Sequence, residues 1–186
     1  MKPTGKLVVM AGPSAVGKGT LASYIVSNFE GFVLSVSATT RSPREGEIDG
    51  VSYVFLDDAE FKARVDSGQM LEWATVHGKH FYGTPRGPVE QGLAEGSNVI
   101  LEIDVQGAFQ VKQSFPDALL VFVKPPSFEE LRARLDKRGT ESEEDKRIRL
   151  ETAKSELEQA IQFDYSVVND QVARCAQEVV DLVQTT

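Results

Sequence analysis

Five short apolar runs recur along the chain, at Leu7–Ala11, Phe32–Val36, Val99–Ile103, Leu119–Val123 and Ser166–Val168. Between them, apolar residues return at helical spacing. Leu21, Ile25 and Phe29 form one stripe, Leu150, Ala153, Leu157 and Ile161 lie on a long helix starting near Ser142, and Val172, Ala176, Val179 and Val183 stripe the last segment. Leu131 and Leu135 follow Ser127, and Glu130 completes a capping-box pattern with that serine. Strands alternating with amphipathic helices require crossover connections, so the pattern predicts a parallel sheet covered on both faces.

Two stretches break this rhythm. Residues 37–84 are polar, carry turn signals at Ser42-Pro43, Glu45-Gly46 and Asp49-Gly50, and hold one short alternating run, Ser52–Leu56. They predict a small inserted subdomain with antiparallel pairing. Residues 134–149 are packed with charge, from Arg134 through Arg138-Gly139 to Arg149. Composition alone reads this as a solvated helical hairpin, with a mobile lid as the alternative.

Candidate chemistry sits right after the first apolar run. Gly12-Pro13-Ser14-Ala15-Val16-Gly17-Lys18-Gly19-Thr20 contains the frame Gly-x4-Gly-Lys, the core of a phosphate-binding loop, placed between a strand and a helix. Glycines let the loop curl so that backbone N–H groups converge on phosphate oxygens. The helix adds its positive end, and Lys18 reaches the terminal phosphates. Gly19 follows the lysine, and the hydroxyl comes one residue later, at Thr20. That ending resembles small-molecule nucleotide kinases, in which phosphates and water hold most of the metal.

A length of 186 residues suits one domain, or one core with small inserts. The 20 Lys and Arg residues against 28 Asp and Glu give a net charge of -8, which disfavours a broad surface for nucleic acid or anionic membrane. A small anion is compatible if a few cations gather in one place. Cys175, the only cysteine, excludes an intrachain disulfide and reads as a small buried apolar residue. No apolar run has the length of a membrane span or a signal segment, so a soluble cytoplasmic chain is expected. His77 and His80 read as loop or surface residues.

Thr39-Thr40-Arg41-x-x-Arg44-x-Gly46-Glu47, followed by Asp49-Gly50-x-x-Tyr53-x-Phe55, resembles the signature of guanylate kinases. Leu71-Glu72-Trp73-Ala74, Tyr82-Gly83-Thr84, Glu102-Ile103-Asp104-x-Gln106-Gly107, Arg138-Gly139-Thr140 and Val168-Asn169 continue the resemblance in family order over nearly the whole chain. It implies an α/β fold of the P-loop NTPase type: a five-stranded parallel core sheet with helices on both faces, a small GMP-binding insert and a helical lid. The implied layout is core at 1–36, 85–133 and 150–186, insert at 37–84 and lid at 134–149.

The implied reaction passes the γ-phosphoryl group of ATP to GMP or dGMP, with Mg²⁺ as cofactor and no protein partner. ATP falls to residues Gly12 to Thr20. GMP falls to Ser37, Arg41, Arg44, Tyr53, Glu72, Tyr82, Thr84, Glu102 and Asp104, with Asp104 also near the metal. Lys18, Arg41, Arg134, Arg138 and Arg149 are the implied catalytic cations. The chemistry is coherent. Arg41 and Arg44 flank Pro43 in a turn that can aim two guanidinium forks at one phosphate. A carboxylate such as Glu72 accepts both adjacent N–H donors of guanine, an arrangement adenine lacks. Position 15 departs from the family, with Ala where Gly is usual. Glycine tolerates left-handed backbone and close phosphate approach better than alanine, and the loop can still form if residue 15 has a negative φ. Two other readings stay open on sequence alone: a kinase for another nucleoside monophosphate, and a non-catalytic interaction module of the same fold.

Overall fold

The computed structural model describes residues 5–76, 78–137 and 143–186. β1 (Leu7–Ala11) leads through the glycine-rich loop into α1 (Lys18–Asn28) and β2 (Phe32–Leu34). β3 (Ala38–Thr39), β4 (Val54–Phe55), α2 (Asp58–Asp66), β5 (Met70–Val76) and β6 (His80–Pro85) form a separate group. The chain returns through α3 (Arg86–Ala94) to β7 (Asn98–Glu102), α4 (Val105–Ser114), β8 (Leu119–Lys124) and α5 (Phe128–Lys137). It ends with α6 (Glu143–Glu158), β9 (Tyr165–Val168) and α7 (Val172–Thr185).

The core sheet runs β2-β7-β1-β8-β9 with every pairing parallel. β1 is buried along its whole length, as a central strand with two covered faces must be. Its side chains alternate between two cores. Val8 and Met10 pack with Leu21, Ile25, Val179 and Val183 of α1 and α7. Leu7, Val9 and Ala11 pack with Val89, Leu93, Ala108 and Val111 of α3 and α4. Met10 pairs with Glu102 on one side and Val121 on the other. The carboxyl ends of the three middle strands therefore line up, where ligands gather in such sheets.

Helix starts follow local chemistry. Asp57 caps α2 by accepting from the Glu60 amide at 2.7 Å, and Asp104 caps α4 by accepting from the Gly107 amide at 2.7 Å. Ser127 accepts from the Glu130 amide at 3.1 Å, as the capping-box pattern predicts. No helix among the described residues is long and apolar enough to cross a membrane. Cys175 is buried, and that burial pushes its thiol up to about 11.

The second sheet, β4-β3-β6-β5, is mixed rather than wholly antiparallel. The run Ser52–Leu56 yields only the two-residue β4, which pairs parallel to β3. Most of the sheet is the hairpin of β5 and β6, and His80 opens β6 instead of lying in a loop. A small core of Ala38, Leu56, Phe61 and Met70 sits beneath. Phe61 is fully buried and stacks on Phe81 with ring centroids 5.4 Å apart. Phe61→Ala is expected to lower the unfolding free energy by about 3–5 kcal/mol. Urea denaturation checks this; a loss below about 1 kcal/mol would mean the insert does not depend on this core.

Candidate active site

At the end of β1, Gly12 turns the chain at φ 149°, and a Cβ there would lie 2.4 Å from the Val123 carbonyl oxygen. Gly17 closes the loop at φ 96°, where a Cβ would lie 2.7 Å from Asn169 Nδ2. Both positions therefore require glycine. At Gly19 a Cβ would lie 3.3 Å from Glu102 Oε2, which explains a small residue where many phosphate loops carry a hydroxyl. No side chain caps α1, so the amides of its first turn are directed at the loop's contents. Lys18 Nζ donates to the carbonyls of Gly12 at 2.7 Å and Pro13 at 3.1 Å, which holds the ammonium across the loop.

The condition of a negative φ at Ala15 is not met, and the loop forms nonetheless. The residue lies at φ 65°, the only positive value of a non-glycine residue among the described ones. The Val16 amide donates to the Pro13 carbonyl at 3.3 Å, and the third residue of such a turn ordinarily is glycine. The cause is on either side. Val16 is fully buried, and its carbonyl accepts from Arg134 Nη1 at 3.0 Å and from Asn169 Nδ2 at 2.9 Å. With Val16 held in this way, the reversal falls on residue 15, at a cost of about 1–2 kcal/mol.

Arg134 reaches the loop from behind, and its Nη2 donates to the Asn169 carbonyl at 3.1 Å. Asn169 is buried, and its Oδ1 has no partner among the described residues. Arg149 reaches from the front, donating from Nη1 to Ser14 Oγ at 3.3 Å. Arg149, Thr152 and Glu156 give α6 one wall of a cleft of about 350 Å³, with Lys18, Glu102 and Asp104 opposite. Burial raises the Glu156 carboxyl above its ordinary range; Lys18 works against this and Asp104 adds to it. A larger cavity of about 540 Å³ at the amino ends of β1 and β8 shares no residue with this cleft.

The insert supplies two further clusters. Arg41 donates from Nε to Tyr82 Oη at 3.1 Å, and its two terminal nitrogens grip both oxygens of Glu47 at 2.9 Å. Its guanidinium lies 5.4 Å from the centroid of the Tyr53 ring. Glu47 and Tyr82 hold Arg41 firmly protonated, and Arg41 holds Glu47 below the usual carboxylate range. The Arg44 amide donates to Glu47 Oε2 at 2.8 Å, while the Arg44 side chain is exposed. Glu72 is buried on β5 and accepts from Thr84 Oγ1 at 2.7 Å. Burial pushes Glu72 up to about 7; the Thr84 bond opposes the shift and the Asp104 charge adds to it.

The loop residues, Glu102, Asp104 and Arg149 are thus gathered in one cleft, Arg41 with Tyr53 and Tyr82 in a second group, and Glu72 with Thr84 in a third. Ser37 is half-buried and joins the sheet through its carbonyl, which accepts from the Val54 amide at 2.9 Å. Arg138 and His77 lie outside the described residues. Sequence reasoning passed over three contributors. Glu47 and Asn169 stood within motifs without a role, and Glu156 could have been found two helical turns beyond Arg149. Among the described residues, no group of three or more His, Cys, Asp or Glu is gathered to hold a metal.

A glycine-rich phosphate loop between a parallel strand and a helix, beside an insert with an arginine–tyrosine cluster and a buried carboxylate, defines a protein of the P-loop class. The family model described as guanylate kinase matches residues 4–186. A guanylate kinase of Leifsonia xyli subsp. xyli (strain CTCB07) is 56% identical over 177 residues, covering 95% of this chain and 70% of the relative. One of Trichodesmium erythraeum (strain IMS101) is 51% identical over 169 residues, covering 91% and 90% respectively. The crystal structure of guanylate kinase from Anaplasma phagocytophilum matches with a TM-score of 0.77 at 32% identity, covering 99% of this chain and 87% of that one. The chain belongs to the guanylate kinase family.

Two outcomes follow from the local physics. Ala15→Gly is expected to raise stability by about 1 kcal/mol, read as a higher urea midpoint at unchanged slope; a lower midpoint would mean that the methyl contacts outweigh the φ relief. For Glu72 the folded carboxyl holds its proton up to about pH 7 while the unfolded one ionises near 4.5. Its contribution to stability is present below pH 4.5 and is lost as pH rises to 7. Glu72→Gln, neutral throughout, is expected to gain on the wild type over that window by roughly 3 kcal/mol in all. A stability difference independent of pH would show that Glu72 titrates normally.

Proposed function

We propose that the chain transfers the γ-phosphoryl group of ATP to GMP, giving ADP and GDP, with dGMP as a second acceptor. The observation that carries this reading is the buried Glu72 carboxylate, steadied on one oxygen by Thr84 and set in the insert that also presents Arg41, Tyr53 and Tyr82. An ionised carboxylate accepts from both the ring N–H and the exocyclic amine of guanine. Without a ligand its proton affinity is matched to neutral pH, so these two donors also draw it into the charged form.

The acceptor needs little activation. A phosphomonoester with its second pKa near 6 is mostly dianionic at neutral pH, so no strong general base is required. The task is to align two polyanions that repel each other and to neutralise the charge between them. The loop amides and Lys18 are proposed to hold the ATP phosphates. Arg41, oriented by Glu47, and Arg44 are proposed to hold the GMP phosphate with Tyr53 and Tyr82. Arg134 would set the loop from behind, and Arg149 would reach the phosphates from the front with Arg138. The donor set fits a Mg²⁺ held by phosphates and water, because Asp104 commits one oxygen to the Gly107 amide and, among the described residues, no group of three or more His, Cys, Asp or Glu surrounds it. When bound, the ion would neutralise charge on the transferring group, with Glu102 and Asp104 orienting its waters. Closure of the 37–84 insert and a 134–149 lid would exclude water. The proposed setting is the cytoplasm, with small nucleotides as ligands.

ATP-dependent diphosphate formation across AMP, GMP, CMP and UMP tests the reading, with strong preference for GMP expected. Lys18→Ala is expected to cut turnover by about 10²–10³ while the fold, followed by circular dichroism, persists. Near-normal turnover would remove the loop from the reaction, and an even response to all four acceptors would remove guanine recognition.

A further inference from the structure

We infer that Gln110 on α4 is a specificity-positioning residue, one that sets the backbone beside Glu72 and so aims the guanine-reading carboxylate. The inference rests on the proposed role of Glu72 in reading guanine.

β5 is an edge strand of the second sheet, paired with β6 on one side only. Its other edge faces α4, and a helix has no backbone ladder to offer. A side chain takes that place. Gln110 Oε1 accepts from the Trp73 amide at 3.1 Å, and Gln110 Nε2 donates to the Trp73 carbonyl at 3.0 Å. One side-chain amide thus satisfies both backbone groups of the residue after Glu72, as a neighbouring strand would. One turn further along α4, Ser114 Oγ donates to the Leu71 carbonyl at 2.9 Å, on the other side of Glu72. One turn earlier, a Cβ on Gly107 would lie 3.0 Å from Glu72 Oε2, so the helix passes this close because residue 107 has no side chain. Successive turns of α4 therefore hold residues 71, 72 and 73.

β6 pairs with Glu72 and Trp73 along one side of β5, and α4 holds the other side. The ladder between β5 and β6 shifts register between Met70 and Glu72. Trp73 is 40% exposed, and its ring meets only the edge of Phe81 among the aromatic rings, with centroids 6.0 Å apart. The Thr84 bond restrains one carboxylate oxygen and leaves the other to be placed by the backbone. Guanine requires both oxygens at once, so an error in strand position falls on the exocyclic amine contact. Inosine monophosphate keeps the ring N–H and lacks the amine, and the preference of the enzyme for GMP over it reads that second contact alone.

The experiment compares wild type with Gln110→Met, similar in length and unable to form the amide pair, using GMP, inosine monophosphate and ATP. The KM for GMP is expected to rise about 3- to 10-fold, and the GMP-to-inosine-monophosphate ratio of kcat/KM to fall by a similar factor. The KM for ATP stays unchanged. A lowered melting temperature with that ratio unchanged would overturn the inference, as would an equal rise in both KM values. Gln110→Glu keeps the acceptor for the Trp73 amide and loses the donor to its carbonyl. Its ratio is expected to fall between the other two, and it carries the test if Gln110→Met does not fold. If wild type forms no GDP from GMP, the proposed function fails; if wild type does so and both variants match its ratio, only the role of Gln110 fails.

Discussion

The Val16 carbonyl accepts from Arg134 on α5 and from Asn169 just beyond β9, donors 118 and 153 residues away in sequence. Those two bonds, with a fully buried Val16 side chain, decide the shape of the phosphate loop. The residues on either side take left-handed backbone, Ala15 at φ 65° and Gly17 at φ 96°. The strain at Ala15 is of the same size as two net hydrogen bonds, about 1 kcal/mol each, so the loop is a conformation the surrounding core imposes. Its position at the ends of the central strands then puts Lys18, Glu102 and the amides of α1 in one cleft.

Charge in this molecule is arranged in committed pairs. Arg41 spends both terminal nitrogens on Glu47, and Arg134 is engaged with backbone carbonyls behind the loop. An acidic chain keeps these cations in place by matching each to an acceptor before any nucleotide arrives. The geometry of the arginines is therefore set by the protein's own acceptors. A net charge of -8 is compatible with a phosphate loop because the positive groups around it are locally fixed.

Much of the core was readable from local pattern. Parallel strands buried on both faces are continuous apolar runs, and the five expected runs are the five strands of the sheet, with ends shifted by one or two residues. The capping signal at Ser127 and the stripe on α7 also hold. The hairpin of β5 and β6 was missed. Its residues follow no clean alternation, because the polar Glu72 and Thr84 are buried while Trp73 is exposed. The sequence pointed to Lys18, Glu102, Asp104 and Arg149, which line one cleft. Bonds to distant backbone groups, such as those of Asn169 and Gln110, leave no periodic trace, and neither does the φ of Ala15, which is imposed by its neighbours.

Gln110 has another consequence. A sheet edge with unpaired N–H and C=O groups is a template for a second chain, and natural proteins blunt such edges. On β5 the backbone groups of Trp73 that face away from β6 are already occupied by a side chain of the same molecule. The opposite edge of that sheet is β4, only two residues long. Gln110, with Ser114 on the Leu71 carbonyl, thus occupies the middle of the longer of the two borders along which the insert could stick to its own copies.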